Sequence, residues 1–356
     1  MNCKDICAKL VLALIFILID CNILFAQDAH FSQFDASPNT MNPAHTGNYI
    51  GDWRFVNTYR SQWFAIPKPY MTITMAYDHQ FYFHNDVLSS GIIFMGDRSG
   101  ALGLTTNRFC ITQAYQKKIG KHVTHLGFQL GYTRRRISAG NFTYPEQFDM
   151  STGYFNSQLP SSEPAMDISA SHWDVNTGIL WNRNYGRIRP EIGIALYHIN
   201  YPSVLFGEDF TSTSGAGKSE KEIQIRKVVH GKTECMINER YSLIPCFGYM
   251  GQGSANEVIA GAIWKHNIIK ENSMEDNKIN SILFSLYIRD GHKRNFDALI
   301  FGLGMNFRKS ALRFSYDCTL SKLSVATSTL GAFELSFIYT AISTRHTNGF
   351  VPDFRF

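Results

Sequence analysis

The feature that most constrains this chain is a strict alternation of large apolar residues with small or polar ones, repeated from about residue 50 almost to the end. In "TITMAYDHQF", Ile73, Met75, Tyr77 and Phe81 share one face, while Thr72, Thr74, Asp78 and Gln80 share the other. "HLGFQLGYT" sets Leu126, Phe128, Leu130 and Tyr132 against Gly127, Gln129, Gly131 and Thr133. "IRPEIGIAL" sets Ile188, Ile192 and Ile194 against Arg189, Glu191 and Gly193, and "DALIFGLGMNF" does the same with Leu299, Phe301, Leu303, Met305 and Phe307. A period of two belongs to half-covered β-strands and is incompatible with amphipathic helices. About fourteen such segments lie between Trp53 and Ala341, most near the nine to eleven residues that a tilted strand needs to cross a bilayer.

The connections divide into two kinds. Tight links fall at "IGKH" (Ile119 to His122), "NRNYGR" (Asn182 to Arg187), "NERY" (Asn238 to Tyr241) and "NFRKS" (Asn306 to Ser310). Long ones fall in alternate gaps, at residues 137–170, 200–222 and 319–327, with "NIIKENSMEDNK" (Asn267 to Lys278) as an exception, long where a turn is expected. Short periplasmic turns alternating with long outer loops are the pattern of outer-membrane barrels. Period alone does not say which face is outside: a soluble barrel points its large apolar residues inward, a membrane barrel outward. Aromatics at 14% with only 18% charged residues fit aromatic girdles and a lipid-facing wall, and a sheet in lipid must close to satisfy its backbone. The expectation is an all-β transmembrane outer-membrane barrel of about fourteen antiparallel strands over residues 53–341, in a Gram-negative outer membrane.

Before the barrel, Lys4 and Lys9 precede the apolar run Leu10 to Ile19, and a small residue, Ala26, ends the stretch. That order reads as a signal peptide over residues 1–26, despite Asp5, Asp20 and Leu24, the alternative being an uncleaved anchor. Cys3, Cys7 and Cys21 then leave with the signal, and Cys110, Cys235, Cys246 and Cys318 are too dispersed for a zinc site or a disulfide framework. The net charge of +5 is spread along the chain, so no nucleic-acid footprint is formed. Residues 27–52 have neither period and are expected to form a periplasmic segment or a plug, and residues 342–356 a periplasmic tail.

"HFSQF" (His30, Phe31, Ser32, Gln33, Phe34), "MNPAHTG" with Asn42, Pro43 and Gly47, and "YRSQW" with Tyr59, Arg60, Gln62 and Trp63 are followed by "YMTITMAYD" with Tyr77 and Asp78. Together they resemble the N-terminal signature of PorP/SprF-type proteins, outer-membrane components of the type IX secretion system. "PCFGYMGQGSANEVIAGAIW" and "RFSYDCTLSKLSVATSTLGAFELSFIY", with Tyr316, Asp317 and Ser321, resemble the later strands of that family. The ending departs from the family pattern, with Asp353 and Phe354 where Cys-Pro is expected. The resemblance implies a non-enzymatic role in secreting or holding surface cargo such as the adhesins of gliding bacteria. It also implies partners among outer-membrane lipids, the periplasmic secretion machinery and the secreted cargo. The rival reading is a channel or transporter for hydrophobic or small solutes, in which residues 27–52 plug the lumen.

Candidate chemistry is sparse. His30 beside Ser32 suggests a hydrolase pair, but no oriented third group or oxyanion loop accompanies them, so no catalytic residue is expected. Asp97 with Arg98, and Asp317 with Ser321, read as lumen polar groups; no cluster has metal-ligand spacing, and neither a metal nor a cofactor is expected. Arg134, Arg135 and Arg136 form the only compact basic group, at a strand end; a solvated rim is the plainer reading and attraction to anionic lipopolysaccharide the functional one. Pro67 and Pro69 fit the first outer turn, and Trp53, Tyr59, Trp63 and Tyr70 fit interfacial positions.

Overall fold

A computed structural model describes residues 31–33, 35–64, 68–83, 86–100, 103–137, 144–156, 158–160, 168–204, 221–268, 279–291, 296–321 and 330–341. His30, Phe34, the signal segment, Pro67 and the C-terminal tail lie outside the described residues. Fourteen strands form one closed antiparallel barrel. In chain order they are β1 (Trp53–Gln62), β2 (Tyr70–Phe83), β3 (Asp86–Ser99), β4 (Leu104–Ile119), β5 (His122–Ile137), β6 (Ile168–Arg183) and β7 (Ile188–Tyr197). They continue as β8 (Arg226–Met236), β9 (Tyr241–Gln252), β10 (Ala255–Asn267), β11 (Ser281–Gly291), β12 (Ala298–Asn306), β13 (Ser310–Thr319) and β14 (Leu330–Ala341). Each strand pairs with its neighbour in sequence, and β1 closes the ring on β14 with Trp53 opposite Ala341 and Gln62 opposite Ala332. Closure leaves no edge strand, so the ladders run round the ring without an open edge.

The alternation now acquires a direction. Ile92, Phe284 and Leu303 are 49%, 52% and 54% exposed, whereas Thr58, Asp78, Asp174 and Glu334 are wholly buried. Large apolar side chains point away from the barrel axis and polar ones point into it, the inverse of a soluble barrel. Such an exterior is stable only in hydrocarbon, and its aromatic pairs mark two levels. Trp53 packs on Tyr77 and Tyr339, His122 on Trp181 and Tyr241 on Trp264 near one end; Trp63 packs on Tyr70 and Tyr132 on Trp173 near the other. The chain is therefore a protein of the Gram-negative outer membrane.

The two ends differ in their connections. At the end where β1 begins, the links after β4, β6, β8 and β12 are short, and only the one between β10 and β11 is long, as the sequence indicates. This is the turn end. The opposite, loop end carries the long links after β5 and β7, although those after β3 and β9 are tight. The four cysteines at 110, 235, 246 and 318 are free.

Candidate functional site: the occupied lumen

Eight strands make a barrel that side chains alone fill, while sixteen or more leave an aqueous channel. Fourteen strands leave space, and here the chain's own N-terminal segment takes it. Its local folding follows from its prolines and asparagine. Pro38 opens a single helical turn, α1 (Pro38–Met41), where a missing N–H costs nothing. Asn42 then caps a 3₁₀ turn over Pro43–His45, its Oδ1 accepting from the Ala44 N–H at 2.8 Å.

The wall is cut to receive these turns. A Cβ on Gly127 of β5 would lie 2.2 Å from the Ala44 nitrogen, and one on Gly178 of β6 would lie 2.0 Å from Asn42 Oδ1. On Gly193 of β7 it would meet His230 Nε2 at 2.3 Å. These glycines occupy the polar face of the alternating strands, where the Ala44 backbone, the Asn42 side chain and the His230 ring take the room a side chain would fill. Asn42, fully buried, donates its amide to the carbonyls of Ile179 and Ile194 at 3.1 and 3.3 Å and lies 3.1 Å from His230 Nε2. Because Ile179 and Ile194 face each other across β6 and β7, one side chain ties the plug to two strands. Met41 packs with Val228, Ile244, Ile259 and Tyr287, an apolar patch of the inner wall.

Toward the turn end, Asp78 organises a cradle. Its Oδ2 accepts from the Gly47 N–H and from Arg54 Nη2, each at 2.7 Å, and its Oδ1 accepts from Arg54 Nε at 3.0 Å. Arg54 also donates to Asn39 Oδ1 at 2.7 Å and to the His45 carbonyl at 3.0 Å, and stacks 4.7 Å over the Tyr49 ring. Gly47 has a φ of 75°, and a Cβ there would sit 1.9 Å from Ser89 Oγ. His45 Nε2 lies 4.0 Å from Glu191, which takes Asn48 Nδ2 at 3.0 Å and Lys232 Nζ at 3.5 Å.

Toward the loop end lies a denser charge cluster. Glu334 receives the successive backbone N–H groups of Ser32 and Gln33 at 2.6 and 2.8 Å. The Ser32 hydroxyl donates to Asp317 Oδ2 at 2.6 Å and accepts from Arg60 Nη1 at 2.7 Å and Arg289 Nη1 at 2.8 Å. Arg60 also pairs with Glu334, lying directly opposite it across β1 and β14, and reaches Asp317 at 3.4 Å. Arg289 pairs with Asp317 at 2.8 Å and with Asp297 at 2.9 Å. The Ser32 hydroxyl is thus saturated, its proton on a carboxylate and its lone pairs on two guanidinium groups.

The segment therefore threads the lumen lengthwise: Ser32 lies beside Arg60 and Asp317, two residues from the loop-end limits of β1 and β13, and Gly51 lies against Ala341 at the turn end. Of the two readings of residues 27–52, a periplasmic segment or a plug, the burial of Phe31, Ser32 and Gln33 near the loop end accords with the plug. Of the motif residues, Ser32, Gln33, Asn42, Pro43, Gly47, Arg60, Asp78 and Asp317 meet in the lumen. Tyr59, Tyr77 and Tyr316 lie on the opposite face of their strands, and Tyr59 packs on Phe333. Trp63 turns outward with a φ of 55° and packs on Tyr70, Gln62 ends β1, and Ser321 is buried just past β13. Asp97 and Arg98 part company, Asp97 accepting from Thr72 and Ser99 inside while Arg98 is exposed. Sequence reasoning missed Glu334, Arg289, Arg54 and Asn39; the available signal was a charge on the polar face of an alternating strand, as in "GAFELSFIY".

Fold and site together define an outer-membrane barrel with a polar lumen occupied by its own N-terminal segment. A family model described as type IX secretion system membrane protein PorP/SprF matches residues 23–339, and the chain belongs to that family. No curated protein matches it significantly. Among solved structures it is similar to the toluene transporter TbuX of Ralstonia pickettii, at 11% identity over 85% of this chain and 92% of that one, with a TM-score of 0.48. It is also similar to a FadL homologue of Pseudomonas aeruginosa, at 10% identity over 85% and 94% of the two chains, TM-score 0.49. A third is CymD, a monoaromatic hydrocarbon channel, at 7% identity over 87% and 94%, TM-score 0.47.

Proposed function

We propose that this chain is a non-enzymatic, closed-lumen scaffold of the type IX secretion system, holding its loop-end connections toward secreted surface proteins, adhesins among them, and its turn end toward periplasmic components of the machinery. Family membership supports the secretion role. The observation that carries the scaffold reading is the occupied lumen: Ser32, Asn42 and Thr46 are buried to within 1% and bonded to eight strands of the wall. A conduit for solutes needs a continuous path, and a plug so bonded blocks one. Under this reading Phe31, Ser32 and Gln33 serve to hold the plug, and only the part of the segment from about His45 to Gly51 meets the machinery, through the turn end.

Deletion of the gene separates this reading from a solute channel. Surface display of secreted proteins is expected to fail while uptake of toluene and other small hydrophobic solutes is unchanged; lost uptake with normal display contradicts the scaffold. Co-purification from the outer membrane with mass spectrometry then identifies the bound cargo and machinery.

A further inference from the structure

Strands β2 to β6 run to 14–16 residues, whereas β7 to β14 have 9–13. The surplus on β3 to β6 has a distinct outward face. Phe94, Phe109, Tyr132 and Trp173 stand opposite one another in register across these four strands, an aromatic row at the loop-end limit of the apolar band. The next outward row is Gly96, Asn107, Arg134 and Ser171, and the one beyond it Arg98, Thr105, Arg136 and Ser169. Arg98, Arg134 and Arg136 are exposed. Arg134 and Arg136 thus leave the lumen and point to the side that Tyr132 and Leu130 present to lipid.

Depth fixes what they meet. From His122 in the turn-end aromatic level to Tyr132 in the loop-end level is about ten residues of β5, which at ~3.3 Å per residue and a tilt of ~40° spans roughly 25 Å, the height of the apolar band. Arg134 and Arg136 then lie roughly 5–10 Å past its edge, at headgroup depth. Arg98 on β3 and Arg136 on β5 are two strands apart, about 10 Å, a spacing that admits two phosphates at once. Hydroxyls of Ser169, Ser171 and Thr105 flank them.

We propose that Arg98, Arg134 and Arg136 form a binding site on the lipid-facing wall for the phosphates of lipopolysaccharide, the anionic glycolipid of the outer leaflet. Guanidinium groups bind phosphate with charge-assisted, paired hydrogen bonds, and at the bilayer edge no displaced protein is needed to reach them. The site orients the barrel with its loop end outward and fixes one lipid beside the β5–β6 rim. It is independent of the secretion role.

The test is native mass spectrometry of the full mature barrel in detergent with diphosphoryl lipid A, dephosphorylated lipid A and phosphatidylglycerol. The wild type is expected to retain diphosphoryl lipid A over both others. The triple variant Arg98→Gln/Arg134→Gln/Arg136→Gln is expected to lose about fivefold in retention per arginine removed, the equivalent of roughly 1 kcal/mol each. Heat-modified gel mobility confirms that the variant is folded; should it not fold, the single Arg134→Gln is expected to lose about fivefold and Arg134→Lys much less. Equal retention of lipid A by wild type and folded variant, or preference for phosphatidylglycerol, overturns the proposal.

Discussion

The two ends of the plug are held by different means. At the turn end, Asp78 and Arg54 grip the segment a few residues before it becomes β1, so the plug is both bonded and covalently continuous with the wall. At the loop end, Arg60, Arg289, Asp317 and Glu334 hold Ser32 and Gln33 through non-covalent contacts, and these four charges also pair with one another. If the plug leaves, both clusters keep their wall pairs, Arg54 with Asp78 and Arg60 and Arg289 with Glu334 and Asp317, and both lose plug partners; what separates the ends is that only the turn end is covalently continuous with the wall. The turn end is thus the fixed root of the plug and the loop end its releasable tip.

The contrast is broken most severely at Asp78. Asp78→Ala leaves Arg54 buried without its carboxylate, and the expected loss is about 3–5 kcal/mol in urea-unfolding experiments on the barrel in detergent. Gly178→Val comes next, because the new side chain overlaps Asn42 at mid-lumen; overpacking of about 1–3 kcal/mol and faster proteolysis of the N-terminal segment are expected, with β-sheet circular dichroism retained. Ser32→Ala is the mildest, about 1–2 kcal/mol, since Arg60, Arg289, Asp317 and Glu334 still satisfy one another; hydrogen exchange should rise at residues 31–33 and stay unchanged at residues 45–51. Equal exchange increases at both ends after Ser32→Ala contradict the root-and-tip distinction.

The wall was legible in the sequence because a two-residue period is local information. Ile73, Met75 and Tyr77 announce a face with no reference to the rest of the chain, and Gly127 and Gly193 already stand on the opposite one. Which face meets lipid depends on closure, which the period does not encode. Asp78 and Asp317 stood out through the PorP/SprF motif together with Ser32, Gly47 and Arg60, but Arg54, Arg289 and Glu334 did not. Glu334 meets Arg60 only because the last strand returns to the first, and Arg289 meets Ser32 across the lumen. The direction of the plug was likewise hidden: an irregular segment before β1 leaves the loop end and the turn end equally open, and only the charges at positions 60, 289, 317 and 334 draw its tip to the former.

Conductance across a planar lipid bilayer tests the occupied lumen directly. The intact mature barrel is expected to be electrically silent, and deletion of residues 31–47 is expected to give stable ohmic channels, because the wall alone does not fill a ring of fourteen strands. An intact protein that conducts as well as the deletion variant contradicts the account.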